Sequence, residues 1–272
     1  MTKPNSHACA RTLRLLAVLI LTLSAGFAAK AADAAGAQAA PAVDAESVLS
    51  GMARFMAAAQ TFSVTVHGAY DAIQEDGSRI EFSNERRVTV ARPNKLRIDS
   101  RDSDGTVDVV TFDGQTLTSS RPAAGVYAQA AFAGNVDGAI VHFVKDLRMR
   151  LPLAMLLVTG LPNELERRVK ALAYVEKTTI DGVAAHHLAG STDSVDFQVW
   201  VRDGAEPVPL KIVMTYRQAA GQPGFRAGLD GWNFSPAADD AKFTFVAPPA
   251  ARRIAFLNQV TAVAANAQEK NK

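Results

Sequence analysis

The clearest strand pattern of this chain spans residues 79–92, which read Arg-Ile-Glu-Phe-Ser-Asn-Glu-Arg-Arg-Val-Thr-Val-Ala-Arg. Its even-numbered positions include four apolar side chains, those of Ile80, Phe82, Val88 and Val90. Most of its odd-numbered positions are polar or charged. Because successive side chains of a β-strand point to opposite faces, this alternation predicts a strand with one dry and one wet face.

Similar short patterns continue along the chain, separated by Asp-Gly and Arg-Pro turn signals. They follow one another about every ten residues, a spacing typical of an antiparallel meander. Besides 79–92, we predict strands from Phe62 and Tyr174 and at residues 95–101, 106–112, 115–120, 125–130, 184–189, 194–202, 210–217, 225–234 and 241–246.

Two stretches break this rhythm and predict helices. Asp44 can cap a helix that continues to about Ala59, with apolar residues at helical spacing. Residues 135–169 carry three short helical patterns, one of which follows Pro152. The uncharged stretch 151–159 must be covered by other elements or must cover them.

These elements predict a mainly β protein with helices, of the α+β class. A single antiparallel sheet of about 10–11 strands curls strongly, and its dry face needs cover. Only the N-terminal helix and the helices of 135–169 can supply that cover. We therefore expect a strongly curved antiparallel half-barrel with helices covering the concave face.

The start of the chain predicts export from the cytoplasm. An apolar run at Leu13–Phe27, with Lys3 and Arg11 before it and Arg14 at its start, precedes Ala29-Lys30-Ala31, so residues 1–31 are interpreted as a cleaved signal peptide. A membrane anchor is the alternative, but the run is short of the roughly 20 apolar residues of a bilayer span. The predicted organisation is a signal peptide at 1–31, a disordered tether at 32–43, a domain at 44–257 and a disordered tail at 258–272, in a protein of the periplasm.

Removing residues 1–31 changes what the composition implies. The segment carries four bases and no acid, so the net charge changes from +2 to −2. It also carries Cys9, the one cysteine of the chain. No thiolate chemistry, disulfide or lipid-anchored cysteine is then expected, and no basic stripe suggests a nucleic-acid partner.

Three motifs resemble the LolA/LolB lipoprotein carriers in the order in which they occur. They are Val90-Ala91-Arg92-Pro93-Asn94, the hairpin Phe112-Asp113-Gly114-Gln115, and Asp240–Phe245 followed by Pro248-Pro249. The second half is similar to an uncharacterised periplasmic branch of that superfamily, known only as a domain of unknown function. This second resemblance rests on Asp181-Gly182 with His187-Leu188, and on Trp200 with Pro207 and Pro209-Leu210-Lys211.

The resemblance implies a non-enzymatic periplasmic protein that encloses an apolar ligand under a helical lid. It also implies that Arg92 latches this lid through hydrogen bonds to lid carbonyls. Arg92 shares the parity of the apolar positions of its strand, and a buried guanidinium needs acceptors, for which helix carbonyls are suited. The expected ligand-binding residues are Arg92, Ile80, Phe82, Val88, Val90, Leu96, Ile98, Phe143, Met155 and Leu156.

Signals for catalysis or metal binding are weak. His186 and His187 are adjacent in a strand, so they face opposite sides and cannot chelate one ion together. Asp193 and Asp196 flank a turn, where solubility explains them better than acid–base chemistry. No catalytic residue, metal or cofactor is therefore expected.

Two functions remain open. The leading hypothesis is a carrier or sensor of an acyl-bearing molecule, with a hydrophobic small molecule or lipidated protein as ligand and a membrane-associated donor or acceptor as a further partner. The alternative is a protein–protein interaction module with a filled interior, in which Trp200 faces the partner. A continuous apolar cavity of several hundred cubic ångströms favours carriage, whereas a packed interior favours interaction. Either protein is expected to be a monomer.

Overall fold

A computed structural model describes residues 43–256 of the chain. The signal peptide predicted at 1–31, most of the tether at 32–43 and the tail at 258–272 lie outside the described residues. The helices are α1 (Ala45–Ala58), α2 (Val136–Val141) and α3 (Leu161–Arg168). The strands are β1 (Thr61–Ile73), β2 (Arg79–Ala91), β3 (Lys95–Asp102), β4 (Val107–Phe112), β5 (Thr116–Arg121), β6 (Val126–Ala131), β7 (Ala171–Ile180), β8 (Val183–Ser191), β9 (Val195–Arg202), β10 (Pro209–Tyr216), β11 (Gly224–Asn233) and β12 (Arg252–Ile254).

All twelve strands of the described residues form one curved, open sheet. Its order is β12-β6-β5-β4-β3-β2-β1-β11-β10-β9-β8-β7, and every pair is antiparallel except β12 with β6. The helices cover the concave face. The predicted half-barrel is confirmed, with twelve strands where about 10–11 were expected.

Helix α1 begins where the sequence predicts. The carboxylate of Asp44 accepts hydrogen bonds from the backbone N–H groups of Glu46 and Ser47, at 3.2 and 3.0 Å. This caps donors that have no partner within the helix. One side of α1 is buried against the sheet, through Leu49, Met52, Ala53 and Met56.

The stretch 151–159 is less regular than predicted. In place of a helix from Pro152, only a short 3-10 helix forms at Ala154–Leu157. Leu153 precedes it with a φ of 64°, in the left-handed region that interrupts a right-handed helix. The first helical pattern of 135–169 divides into α2 and one π-helical turn at His142–Asp146, whereas the third forms α3 as predicted.

The strand predicted at 241–246 is wrong. Residues Asp240–Lys242 form a 3-10 turn, and the chain crosses the convex face of the sheet before pairing as β12. Arg97 donates a hydrogen bond to the carbonyl of Lys242 at 3.0 Å, and Phe243 is fully buried. The alternation at 241–246 therefore reflects a segment packed on a sheet and not a strand within it.

Candidate functional site

The concave face of β2 is divided into a covered and an open half. Val88 and Val90 lie under the helices, with exposed fractions of 5% and 0%. Phe82 and Ile80 lie farther along the same face and are 41% and 47% exposed. Four of the residues predicted as ligand contacts from one alternating pattern therefore lie in two different environments.

The covered half is a packed apolar core. One row of paired residues crosses the sheet at Val90, and each of the strands β1 to β6 contributes one buried side chain to it. These are Phe62, Val90, Leu96, Phe112, Leu117 and Ala130. The next row contains Val64, Val88 and Ile98. Phe143 and Leu156 cover these rows from above and are buried, and Met155 is partly buried. The structure thus brings eight of the ten predicted ligand residues to the covered half, counting Arg92.

Arg92 joins the two elements that cover this half. Its Nε donates to the carbonyl of Ala59 at the end of α1, at 3.0 Å. Its Nη2 donates to the carbonyl of Leu157, also at 3.0 Å, and its Nη1 lies 3.5 Å from Asp137 Oδ1. The guanidinium is 5% exposed, and this burial lowers the pKa of Arg92 while the charge of Asp137 opposes the shift. The contacts have the form expected of a latch, and the role in ligand release stays a prediction.

Asp137, which the sequence did not single out, completes this junction. Its second carboxylate oxygen accepts hydrogen bonds from the backbone N–H and the hydroxyl of Thr159, with 3.0 Å for the former. The carboxylate therefore links Arg92 to α2 and to the residues after the 3-10 helix. An aspartate in the first turn of a short helix is common because it stabilises the helix N-terminus, so the sequence does not distinguish Asp137 from an ordinary helix-capping aspartate.

We call residues 135–169 the lid. Two lid residues that are not glycine have left-handed backbones, Arg148 with a φ of 55° and Leu153 with 64°. Such conformations cost an L-residue about 1–2 kcal/mol. Together with the π-helical turn, they make the part of the lid nearest the open half irregular.

The space beneath this part of the lid is small. A crevice of ≈ 20 Å³ is lined by Leu151, Leu153, Leu156, Val66, Arg86 and neighbouring apolar residues. This volume is enough for about one water molecule. The covered half is therefore filled by side chains, and a packed interior favours an interaction module over a carrier.

The open half presents aromatic and aliphatic side chains to solvent. Tyr70 on β1 is 38% exposed and stacks on Phe82, with ring centroids 5.8 Å apart. Ile80 lies beyond them. Asp71 anchors the same end of the sheet from the convex face, accepting a hydrogen bond from Gly224 N at 2.8 Å and pairing with Arg79 and Arg226. An apolar patch of this kind beside a lid is typical of a binding surface.

A wider groove of ≈ 780 Å³ is lined by residues of β1, β10 and β11 and by the turn between β7 and β8, and it shares Leu229 and Trp232 with the small crevice. The cations along it already have partners. Lys211 lies over the ring of Trp200, Arg226 pairs with Asp71 and Glu81, Arg202 pairs with Glu206, and His67 lies 3.0 Å from Asp230. The groove is large, but its basic side chains already contact acidic or aromatic neighbours, so few of them are available to a ligand.

Trp200 lies on the convex face, in register with His187 and Lys211. Its indole is 9% exposed, because His187 stacks on it at 4.0 Å and the Lys211 ammonium lies 4.8 Å from its ring centre. Contact with a partner at Trp200 stays a prediction and requires these neighbours to move.

The histidines and acids of the second half are separately paired. His186 contacts Asp203 and Tyr174, whereas His187, on the other face, contacts Gln198. Asp193 lies near Lys170 and Asp196 pairs with Arg217, at the opposite end of β8 from His186. Among residues 43–256, no group of three or more His, Cys, Asp and Glu side chains is placed to hold a metal ion.

Residues 45–257 match the model of a family described as predicted periplasmic protein, DUF2092. The chain belongs to this family. The resemblance to an uncharacterised periplasmic branch is thereby confirmed. In the part of this DUF2092 protein that the structure describes, no helix is both long and apolar enough to cross a membrane. No curated protein matches the sequence.

Several solved structures are similar to this chain at low identity. Lipoprotein LppX of Mycobacterium tuberculosis is 12% identical with a TM-score of 0.44, covering 72% of this chain and 100% of its own. LprF of Mycobacterium bovis is 13% identical with a TM-score of 0.44, covering 76% and 97%. The MucA/MucB complex of Pseudomonas aeruginosa gives 18% and 0.40, covering 75% of this chain and 64% of that one.

Proposed function

We propose that this DUF2092 protein is a non-enzymatic periplasmic binding protein that carries or senses an acyl-bearing molecule on the concave face of its half-barrel. The observation that supports this most directly is the open half of that face. Tyr70, Ile80 and Phe82 are exposed there in continuity with an apolar core. Burying such side chains under an acyl chain is favourable by about 25 cal/mol per Å² of apolar surface.

The lid supplies the second part of the proposal. The crevice of ≈ 20 Å³ is too small for an acyl chain, so an acyl chain first occupies the open half. Deeper binding requires the irregular part of the lid, between Arg148 and Leu157, to move away from Val66 and Val88. Arg92 sets the resistance to that movement through its bond to the carbonyl of Leu157.

A matched pair of variants tests the location of the site. Phe82→Asp places a charge in the open half, and Val175→Asp places one at an equally exposed position on β7, where Val175 is 49% exposed. We expect the protein to bind a fluorescent C16 alcohol, Phe82→Asp to weaken binding about tenfold or more, and Val175→Asp to leave it unchanged. Equal losses in the two variants would contradict a site in the open half.

A protein–protein interaction module is the second candidate, and the filled interior of the covered half favours it. Native mass spectrometry of the protein purified from the periplasm distinguishes the two. Bound lipid supports carriage. Absence of lipid, failure to bind the C16 alcohol and a stoichiometric protein partner would together replace the first proposal with the second.

A further inference from the structure

Arg86 is a charged residue among the apolar residues on the dry face of β2. It is partly buried, lies in register with Val66 and Ser100, and lines the crevice beside Leu151 and Leu153. It therefore lies on the boundary between the covered half and the open half.

The guanidinium of Arg86 has no hydrogen-bonded or ion-paired partner among residues 43–256. Burial lowers the pKa of Arg86, and the nearby Asp102 and Tyr70 oppose that shift. A guanidinium keeps its charge in proteins, and a partly buried charge is stabilised when acceptors surround it. The position thus offers an incoming acceptor a charged donor that no described residue uses.

A second polar group beside Arg86 is also unpaired. Oδ1 of Asn84 is buried and has no hydrogen-bond partner among the described residues. Asn84 lies two residues from Arg86 on the same face, with this oxygen packed over Gly68. The boundary between the two halves therefore holds two polar side chains with hydrogen-bonding groups that no described residue pairs.

The surroundings restrict what kind of acceptor fits. On one side of Arg86 lie the uncharged lid residues Leu151 and Leu153, and on the other side lie Tyr70 and Phe82. A small hydrated anion would leave these apolar surfaces exposed. An amphiphile with an anionic head and an apolar chain satisfies the charge and covers the apolar patch together.

We propose that Arg86 binds the anionic headgroup, a carboxylate or phosphate, of an amphiphile whose acyl chain lies over Tyr70 and Phe82. This rests on the proposed function and adds the charge of the ligand and its direction along β2. Arg92 has the same parity, but its hydrogen-bonding groups already contact Ala59, Leu157 and Asp137, so it is not the headgroup site.

Two fluorescent probes of equal chain length test this, a C16 fatty acid and the C16 alcohol. We expect the protein to bind the acid about tenfold more tightly, the factor for one charge-assisted hydrogen bond. Arg86→Leu should remove that preference and retain alcohol binding, and Arg86→Lys should retain part of it. Arg87→Leu removes the same charge from the exposed, opposite face and should change nothing.

Each outcome bears on a separate claim. Equal affinity for acid and alcohol, or a preference that survives in Arg86→Leu, overturns the headgroup site and leaves the proposed function standing. Failure of both probes to bind overturns the proposed function and the headgroup site with it. Displacement of the fatty acid by inorganic phosphate alone, at the same concentration as by unlabelled fatty acid, would overturn the amphiphile in favour of a simple anion site.

Discussion

Arg86 lies on β2 and Arg92, of the same parity, directly follows that strand, about 20 Å farther along the extended chain. Arg92 lies in the covered half and donates hydrogen bonds to carbonyls from α1 and the lid. Arg86 lies where the lid ends, and no described group accepts a hydrogen bond from it. The difference arises because α1 and the lid bring their orphan carbonyls to one end of the strand only.

The two halves are therefore held together by different forces. The covered end belongs to an apolar core with buried side chains from ten strands, α1 and the lid. The open end exposes aromatic residues and is anchored by hydrogen bonds and ion pairs around Asp71. This predicts that the covered end dominates stability, whereas the open end is available for binding.

Removing a phenylalanine from each half gives the largest expected difference. Phe62 is fully buried against Trp232 and Phe234, whereas Phe82 is 41% exposed. Phe62→Ala should lower the free energy of unfolding by about 3–5 kcal/mol, and Phe82→Ala by less than about 1 kcal/mol. Denaturant titration measures both. Similar losses would mean that the open half is as tightly packed as the covered half.

Replacing Arg92 or Arg86 with leucine gives the next largest difference in the free energy of unfolding. Arg92→Leu leaves buried carbonyls and Asp137 without their donor, so we expect a loss of about 2–3 kcal/mol and faster amide hydrogen exchange across residues 135–169. Arg86→Leu removes an unpartnered charge, so stability should stay within about 0.5 kcal/mol or rise. Unchanged exchange in the lid of Arg92→Leu would refute the latch.

Acid titration of Asp71 gives the smallest effect. The hydrogen bond from Gly224 N lowers the pKa of Asp71 below its ordinary value of 3.8, helped by Arg226 and Arg79 and opposed by burial. A lowered carboxyl pKa contributes stability that is present above the unfolded-state pKa and lost as the pH falls through the folded-state value.

Asp71→Asn should therefore lose about 1 kcal/mol at neutral pH and show a shallower decline below about pH 4. Glu75→Gln, at an exposed position, serves as the control. An equally steep acid decline in Asp71→Asn and the parent protein would show that Asp71 does not anchor the open end.

For Trp232 and Phe234, sequence periodicity does not predict the face of the sheet on which the side chains lie. The alternation of 225–234 assigns them no certain face, because a bulge can interchange the two sides of a strand. The register shifts between Ser63 and Thr65 of β1 opposite this stretch, and Gly231 has a φ of 60°. As a result Trp232 and Phe234 pack on Phe62 and Phe55, on the helix-covered face.

Candidate residues of the site were only partly predictable. The parity of β2 put Ile80, Phe82, Val88 and Val90 on one face, in agreement with the register, and Arg92 directly follows the strand. Parity did not separate the covered positions from the exposed ones, because that depends on where the lid ends. The sequence patterns did not identify Asp137 or Arg86. Asp137 contacts Arg92 only through the tertiary fold, and Arg86 differs from other arginines only in having no hydrogen-bond partner among the described residues.

Local sequence patterns were sufficient to predict the class of fold, the two faces of β2, the start of α1 and the resemblance to a periplasmic family. These follow from local rules, because side-chain alternation, capping and turn chemistry act over a few residues. The tertiary structure was needed to show that the covered half is full, that the chain after β11 crosses the convex face, and that Arg86 and Arg92 differ in their partners. These features depend on contacts between elements that are distant in the chain, and a local sequence pattern does not contain that information.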